Sequence, residues 1–378
     1  MDRLLVIAPF EILPPYWGAA TRIYNLTRYL ATDYEITLLY VRHRQLDVDI
    51  KDEGPLSCDE NVRMLGVTSF TRYSQVFNPL LILVGLVLAC RHRYSFILAE
   101  TGWSGLHAML LSWLTRIPYV LDEHNVESVA FKRMNRGGRL GPILLKLYER
   151  AVCRFAHKIF CVSEEDRQLL ASEFNLGMEK IVVVPNGVDI ERFHPDRNKR
   201  GVTRDILGIP ENTPLILFNG KLDYRPNYDA VGTIYREIIP RVINEVPDAK
   251  FLIIGNHPPL EFSHGSLVFI NTVDRIEDYL NAADAVICPL LSGGGTRFKI
   301  LEAIACGKRV ISTTVGAEGL IGKETEAHLT CVDDWGQFAS EVIDAIDGDH
   351  DAEPNRHFVR KFSWDNITEV MKSQVLSC

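Results

Sequence analysis

The chain has 378 residues, 47% of them hydrophobic, and a formal net charge of −8. That length exceeds a typical single core and suits two domains of roughly 150 to 200 residues each. The acidic balance argues against a general nucleic-acid binder, although residues 1–190 carry 21 basic and 21 acidic side chains, so the excess lies wholly in the second half.

Residues 4–8 form a fully apolar first strand, followed by Pro-Pro-Tyr-Trp-Gly-Ala at 14–19 and a helix carrying Ile23, Leu26 and Leu30. A ligand loop belongs after strand one of an open α/β sheet. The missing Gly-x-Gly-x-x-Gly pattern weakens a dinucleotide-binding reading. Residues 35–41 and 62–67 are further strands, with 42–60 a polar connecting loop. Its Asp47-Val48-Asp49 is a charged excursion rather than a metal site. The apolar run 80–90 reads as a core helix or a membrane-touching one and is too short to span a bilayer. Residues 95–100 and 118–122 are strands, the second running into Glu123-His124-Asn125-Val126-Glu127 at its C-terminal end, where α/β sheets bind ligands. Glu123 and Glu127 are candidate bases or exposed capping acids.

Between 131 and 158 stand eight cations, among them Arg136, Arg139, Lys146, Arg150 and Arg154, and one acid, Glu149. Ile143, Leu144, Leu147 and Val152 interleave at helical spacing, which suits either an anionic membrane or a solvated helix face. Residues 157–163 and 181–184 are strands, the latter leading into Pro185-Asn186-Gly187-Val188-Asp189, where Asn-Gly permits the positive φ of a tight turn. Residues 195–213 read as a linker. A second sheet starts at 215–218 and breaks at Asn219-Gly220-Lys221, with strands at 251–255, 267–270, 285–290 and 309–312 after it.

The most informative stretch is 289–320, where an apolar strand ends at Ser292 and opens Gly293, Gly294 and Gly295, followed by Thr296 and an apolar-striped helix. Glycines leave backbone N–H groups open to an anion, and the helix start adds its dipole. Arg297 and Lys299 oppose that dipole, costing roughly 0.3 to 1 kcal/mol each, which a bound diphosphate would offset. Gly307 ends the helix. The eight cysteines (Cys58, Cys90, Cys153, Cys161, Cys288, Cys306, Cys331 and Cys378) contain no Cys-x-x-Cys pair and read as reduced thiols of a cytosolic protein. Residues 1–9 lack the pattern of a signal peptide.

The glycine run, its helix, Asn219 to Asn227 and Pro-Asn-Gly-Val-Asp together resemble glycosyltransferase family 4, in its Gly-Gly-Gly-Thr-Arg-x-Lys branch. The resemblance implies a GT-B fold, an α/β architecture of two Rossmann-like domains facing a cleft: 1–195 for the acceptor, 196–355 for the nucleotide-sugar donor, and 356–378 crossing back. It implies that Glu302 grips the ribose, and that Gly294 stands where the family has a sugar-contacting glutamate. Lys221 matches a diphosphate cation, while Asn227 replaces a second, whose charge Arg225, Arg297 and Lys299 restore. Gly18 and Ala19 match the family's Gly-Gly loop, and His124 its active-site histidine. Expected catalytic residues are His124, Lys221 and Arg297. The donor site comprises Gly18, Ala19, Gly220, Arg225, Gly293, Gly294, Gly295, Thr296, Lys299 and Glu302.

The expected activity is retaining, metal-independent hexosyl transfer from a UDP- or GDP-linked sugar, with no cofactor, to a glycan or lipid-linked acceptor in cell-surface polysaccharide assembly. Hinge closure about 186–213 would exclude water. The cellular expectation is a cytoplasmic protein with peripheral membrane contact through 131–158. The alternative, suggested by Gly294, Ala19 and Asn227, is a catalytically silent nucleotide-sugar binder.

Overall fold

The computed structural model describes residues 1–15, 17–42, 50–56, 59–71, 73–133, 140–259, 261–293, 296–348, 354 and 356–375. Asp47, Asp49, Arg136, Arg139, Gly294 and Gly295 lie outside them.

The chain forms two compact units, Met1–Pro185 with Ile367–Cys378, and Asn186–Asn366. The first holds strands β1 (Asp2–Ala8), β2 (Tyr34–Arg42), β3 (Ile50–Leu56), β4 (Asp59–Thr68), β5 (Phe96–Glu100), β6 (Tyr119–Glu123), β7 (Lys158–Cys161) and β8 (Ile181–Val183). Their order is β3-β4-β2-β1-β5-β6-β7-β8, and every pairing but β3 with β4 is parallel. Leu4 to Ala8 are fully buried, as expected of a strand covered on both faces. The order reverses beside β1, so the switch-point crevice opens at the C-terminal ends of β1 and β5.

The second unit holds β9 (Leu215–Asn219), β10 (Lys250–Ile254), β11 (Leu267–Ile270), β12 (Ala285–Cys288), β13 (Arg309–Ser312) and β14 (Leu329–Cys331). All are parallel, in the order β11-β10-β9-β12-β13-β14. The ends of β9 and β12 flank its switch point, and both glycine turns leave from there.

Four sequence expectations change. The connecting loop 42–60 contains β3, an antiparallel edge strand whose charged sequence, Pro55 included, suits an unpaired edge and hides it from an apolar pattern. The linker 195–213 contains the helix Arg197–Leu207, which Asp196 caps by accepting from Asn198 N and Lys199 N, and which ends at Gly208 in the left-handed region. The chain parts at 185/186 rather than 195/196. Val188 N donates to Phe362 O at 2.7 Å, and Val188, Phe193, Phe358 and Phe362 share the second core. Residues 356–366 therefore belong to the second unit, and only 367–378 rejoin the first.

The helix Arg197–Leu207 is fixed by charge. Asp284 accepts from Arg200 Nη2 at 2.7 Å and from Arg204 Nη2 at 2.8 Å, and also receives Leu215 N at 2.7 Å. Arg204 is 1% exposed and Nη1 donates to the carbonyls of Pro210, Glu211 and Thr213. Removing one partner of a buried, hydrogen-bonded pair strands the other. Asp284→Ala should therefore lower unfolding free energy by about 3 to 5 kcal/mol, measurable by denaturant titration, whereas a change under about 1 kcal/mol would show the pair to act as a surface bridge.

Candidate active site

In the first unit, β1 ends at a loop from which the helix Gly18–Leu30 starts, so Gly18 and Ala19 occupy its first turn. One turn later, Arg22 points inward. Its Nε and Nη2 donate to Asp122 Oδ2 and Oδ1 at 2.8 and 2.7 Å, and its remaining donors reach Pro185 O and Val184 O. Asp122 ends the apolar part of β6, and His124 follows it. His124 Nε2 lies 3.2 Å from both Asp122 Oδ2 and Glu100 Oε2, the latter at the end of β5. Two carboxylates facing one ring nitrogen place a proton on Nε2. The buried Nδ1 has no hydrogen-bond partner among the described residues.

The electrostatics follow from burial and from this geometry. Burial and the Asp122 charge lift the Glu100 carboxyl to about 7 against the pull of His124 and Arg22. Burial alone would raise Asp122 also, but Arg22 and His124 hold it well below the usual carboxylate range. Burial disfavours the imidazolium of His124, and hydrogen bonds to Asp122 and Glu100 outweigh it, so the ring is more basic than usual. The ligand atoms of Glu100, Asp122 and His124 lie within 4.8 Å of one another, close enough to hold a metal ion. Both Asp122 oxygens already accept from Arg22, however, and a guanidinium in that place repels a cation.

Glu123 points away from this group, as strand alternation requires. It accepts from Gly102 N at 3.0 Å and faces Cys153 Sγ at 3.8 Å. Burial, then the charges of Glu149 and Glu127, push its carboxyl far up, and at 2% exposure it is not a solvent-exposed cap. Glu127 opens the helix Glu127–Arg133, and Glu149 receives its N–H and that of Ser128.

In the second unit, β9 ends at Gly220. A Cβ there would meet Asn227 Nδ2 at 2.7 Å and Lys299 Nζ at 2.9 Å, so a side chain at 220 would push both of them away. Lys299 Nζ donates to Asn227 Oδ1 at 3.1 Å and stands 4.2 Å from the centroid of Phe218. Asn227 Nδ2 in turn donates to Lys221 O at 2.9 Å. Burial lowers the Lys299 ammonium to about 8. The departure from the family's lysine at Asn227 therefore has a physical role: the amide positions a cation that arrives from the next glycine turn.

That turn begins at Gly293, whose φ of 112° favours glycine, and a Cβ there would lie 3.0 Å from Arg297 Nη2 and 3.3 Å from Tyr224 Oη. Thr296 is buried, and its hydroxyl and carbonyl accept from Asn186 Nδ2 at 2.6 and 3.2 Å. Asn186 thus acts through its side chain, and neither it nor Gly187 has a positive φ. The helix is Phe298–Ala305, with Arg297 at its N-cap and Lys299 in its first turn, and Gly307 leaves it at φ 75°. Glu302 lies one turn in, half-buried, and burial lifts its carboxyl to about 7 against the opposing charge of Arg192. Arg192 is committed to Glu277 at 2.8 Å.

Two expected cations are engaged elsewhere. Arg225 is largely exposed, pairs with Asp229 at 2.9 Å and stands over Tyr228. Lys221 is exposed and pairs with Asp223 at 3.4 Å. Sequence reasoning passed over Arg22, Glu100, Asp122 and Tyr224. The signal for the two acids was available: Glu100 closes an otherwise apolar parallel strand and Asp122 ends the apolar part of the next, where a carboxylate has no structural reason to be.

Two family models divide the chain between them, Glycosyltransferase Family 4 over residues 17–192 and Glycosyl transferases group 1 over 213–347. It is a group 1 glycosyltransferase of GT-B fold. The enzyme uses a nucleotide sugar. Among its curated relatives, the UDP-Gal:alpha-D-GlcNAc-diphosphoundecaprenol alpha-1,3-galactosyltransferase of Escherichia coli is 26% identical over 323 residues, 81% of each chain. The D-inositol 3-phosphate glycosyltransferase of Mycolicibacterium smegmatis is 25% identical over 69% of this chain and 63% of its own. Of solved structures, the sucrose-phosphate synthase of Thermosynechococcus elongatus superposes with a TM-score of 0.78 at 16% identity, covering 100% of this chain and 99% of that one. Anabaena HepE in complex with UDP gives 0.74 at 16% identity, with both chains fully covered.

The glycosyltransferase's first unit carries a pH signature. Glu100 and Glu149 reach about 7, and burial beside Glu149 and Glu127 raises Glu123 well above the usual carboxylate range. Acids whose folded pKa is raised stabilise the fold below their unfolded values near 4.5, and that contribution is lost as pH rises through the folded pKa. Thermal stability should therefore fall as pH rises from 5 to 8. Glu123→Gln, which keeps an oxygen for Gly102 N, should raise the midpoint at pH 8 by about 3 °C or more and change it less at pH 5. An equal effect at both values would mean that Glu123 is ionised in the folded protein.

Proposed function

We propose that the enzyme transfers a hexosyl group, with retention and without a metal ion, from a UDP-linked or GDP-linked donor to a lipid-linked or glycan acceptor in cell-surface polysaccharide assembly. The observation that carries this reading is the convergence of Lys299 and Asn227 over Gly220, with Arg297 and Tyr224 over Gly293, at the ends of β9 and β12. The E. coli relative, with its diphosphoundecaprenol acceptor, supports a lipid-linked acceptor, and HepE in complex with UDP favours uridine over guanosine. Buried, unbridged Cys153, Cys161, Cys288 and Cys306 suit a cytoplasmic enzyme. The Gly-Gly-Gly-Thr-Arg-x-Lys branch fits the same reading.

In the proposed reaction, the bond from the anomeric carbon to the diphosphate oxygen breaks and a bond to the acceptor oxygen forms on the same face. The acceptor proton passes to the departing diphosphate. Charge growing on that group is met by Lys299, Arg297, Thr296 and the N-terminus of the Phe298–Ala305 helix, each well-placed donor contributing about 3 kcal/mol. Glu302 accepts from the ribose hydroxyls. His124, held by Glu100 and Asp122, offers Nδ1 to a sugar hydroxyl. Tyr224 takes over the donor-sugar contact that Gly294 lacks. The silent-binder alternative loses ground at Asn227, which holds a cation in place rather than removing one.

The test is thermal shift and donor hydrolysis across UDP-, GDP- and ADP-sugars with EDTA present. One donor should stabilise the protein and be hydrolysed slowly, and Glu302→Ala and Arg297→Ala should weaken both effects. No shift from any donor would contradict the proposal. Tyr224→Phe should weaken nucleotide-sugar binding by about 2- to 10-fold and leave the nucleoside diphosphate unaffected; equal losses would place Tyr224 on the phosphate.

Donor affinity should also depend on pH, since a nucleotide sugar has no phosphate ionisation near neutrality. Binding should strengthen as Glu302 ionises through about 7 and weaken as Lys299 loses its proton near 8. Glu302→Gln should abolish the acidic limb alone. Calorimetric titration between pH 5.5 and 9 reads both limbs, and a flat profile would exclude these two groups from the donor site.

A further inference from the structure

The helices Pro79–Arg91, Thr101–Thr115 and Gly141–Phe155 lie side by side on one face of the first sheet. Leu81, Leu88, Ala108, Leu111, Val152 and Cys153 from these three helices enter one core cluster. Their opposite sides should face water, yet they are strongly apolar. Leu140, Ile143, Leu144 and Leu147 are each more than half exposed, and one helical stripe joins them. Over the next two turns of the same stripe, the apolar residues give way to exposed Arg150 and Arg154. On the adjoining helix, Trp113 and Leu114 are about 60% exposed, and Trp113 meets Phe155 edge-on at 5.5 Å between ring centroids. Leu83 and Val87 continue the surface on the third helix. A contiguous apolar face of this extent is uncommon on a protein that meets only water.

Its charge is as selective as its hydrophobicity. The helices Pro79–Arg91 and Thr101–Thr115 contain no acid, and the one acid of Gly141–Phe155, Glu149, is 1% exposed because it receives the N–H groups of Glu127 and Ser128. Exposed cations surround the face at Arg91, Arg93, Arg116, Lys132, Arg150 and Arg154. At one margin, Lys146 pairs with Glu173. In a chain of net charge −8, a surface of several exposed cations and no exposed carboxylate on its three helices is complementary to an anionic one. No helix among the described residues is long and apolar enough to cross a membrane.

We propose that this three-helix face docks on an anionic phospholipid surface, with Leu144, Leu147 and Trp113 entering the boundary between headgroups and acyl chains and Arg150 and Arg154 meeting lipid phosphates. The surface is broader than the basic 131–158 segment, because exposed Leu83, Val87, Trp113 and Leu114 on the other two helices belong to it. It stands independently of the donor site.

The experiment is co-flotation of the full chain with vesicles of phosphatidylcholine alone or with one third phosphatidylglycerol, at low and high salt. Wild type should bind the anionic vesicles, bind the neutral ones far less, and be largely released by salt. Leu144→Glu with Leu147→Glu, and separately Arg150→Glu with Arg154→Glu, should each lower binding roughly tenfold or more. Both pairs are exposed and should keep the wild-type thermal midpoint and its shift by donor, which separates failure of this face from failure of the donor reading. Ile206→Glu, at an exposed apolar residue of the second unit, should change nothing. Absence of vesicle binding, equal binding to both vesicle types, or loss of binding on Ile206→Glu would overturn the proposal. A dimer in solution that Leu144→Glu with Leu147→Glu dissolves would also overturn it, assigning the face to a second copy.

Discussion

A cation inside a protein can be held without being neutralised, and Lys299 shows how. Its ammonium rests on the Phe218 face and on one neutral amide oxygen from Asn227. A carboxylate in that place would bind it more tightly and leave less charge for a ligand. The amide and the aromatic ring keep the charge available, and burial lowers its pKa without discharging it at neutral pH. Gly220 follows from this arrangement, because any side chain there would displace both the amide and the ammonium. The second turn answers the same need, with Gly293 leaving room for Arg297 and Tyr224.

The first unit solves the reverse problem, keeping a histidine basic and oriented. Arg22 and Asp122 form a buried bidentate pair, which is expensive to desolvate and gives little net stability. Its return is orientation: Asp122 is fixed by Arg22, Arg22 by the carbonyls that end β8, and Asp122 with Glu100 fixes the ring of His124. The direction of Asp122 and of the His124 ring is therefore set by groups on neighbouring elements, and among the described residues His124 Nδ1 and Glu100 Oε1 are left without a hydrogen-bond partner.

What sequence made legible was local. Parallel strands buried on both faces read as apolar runs, so β1, β5, β9, β10 and β12 stood out. Gly293 and Gly307 bracketed their helix because the backbone at both takes a positive φ. What it hid was of two kinds. Charged or short elements carry no apolar period: β3 and the helix Arg197–Leu207 were read as loops, and β14 was passed over. Pairs distant in sequence carry no spacing signal, as with Arg22 and Asp122, 100 residues apart, or Lys299 and Asn227, separated by 72. For that reason Asn227 read as a lost cation, and Glu123 as a candidate base or an exposed capping acid.

The account rests on Lys299 and Arg297 recognising a diphosphate, and the most direct measurement isolates that moiety. Calorimetric affinities of nucleoside diphosphate and nucleoside monophosphate should be compared in wild type, Lys299→Ala and Arg297→Ala, with EDTA present. The account predicts that wild type prefers the diphosphate strongly and that each substitution removes most of that preference while sparing the monophosphate. A preference that survives both substitutions would contradict it and place the diphosphate away from the two glycine turns.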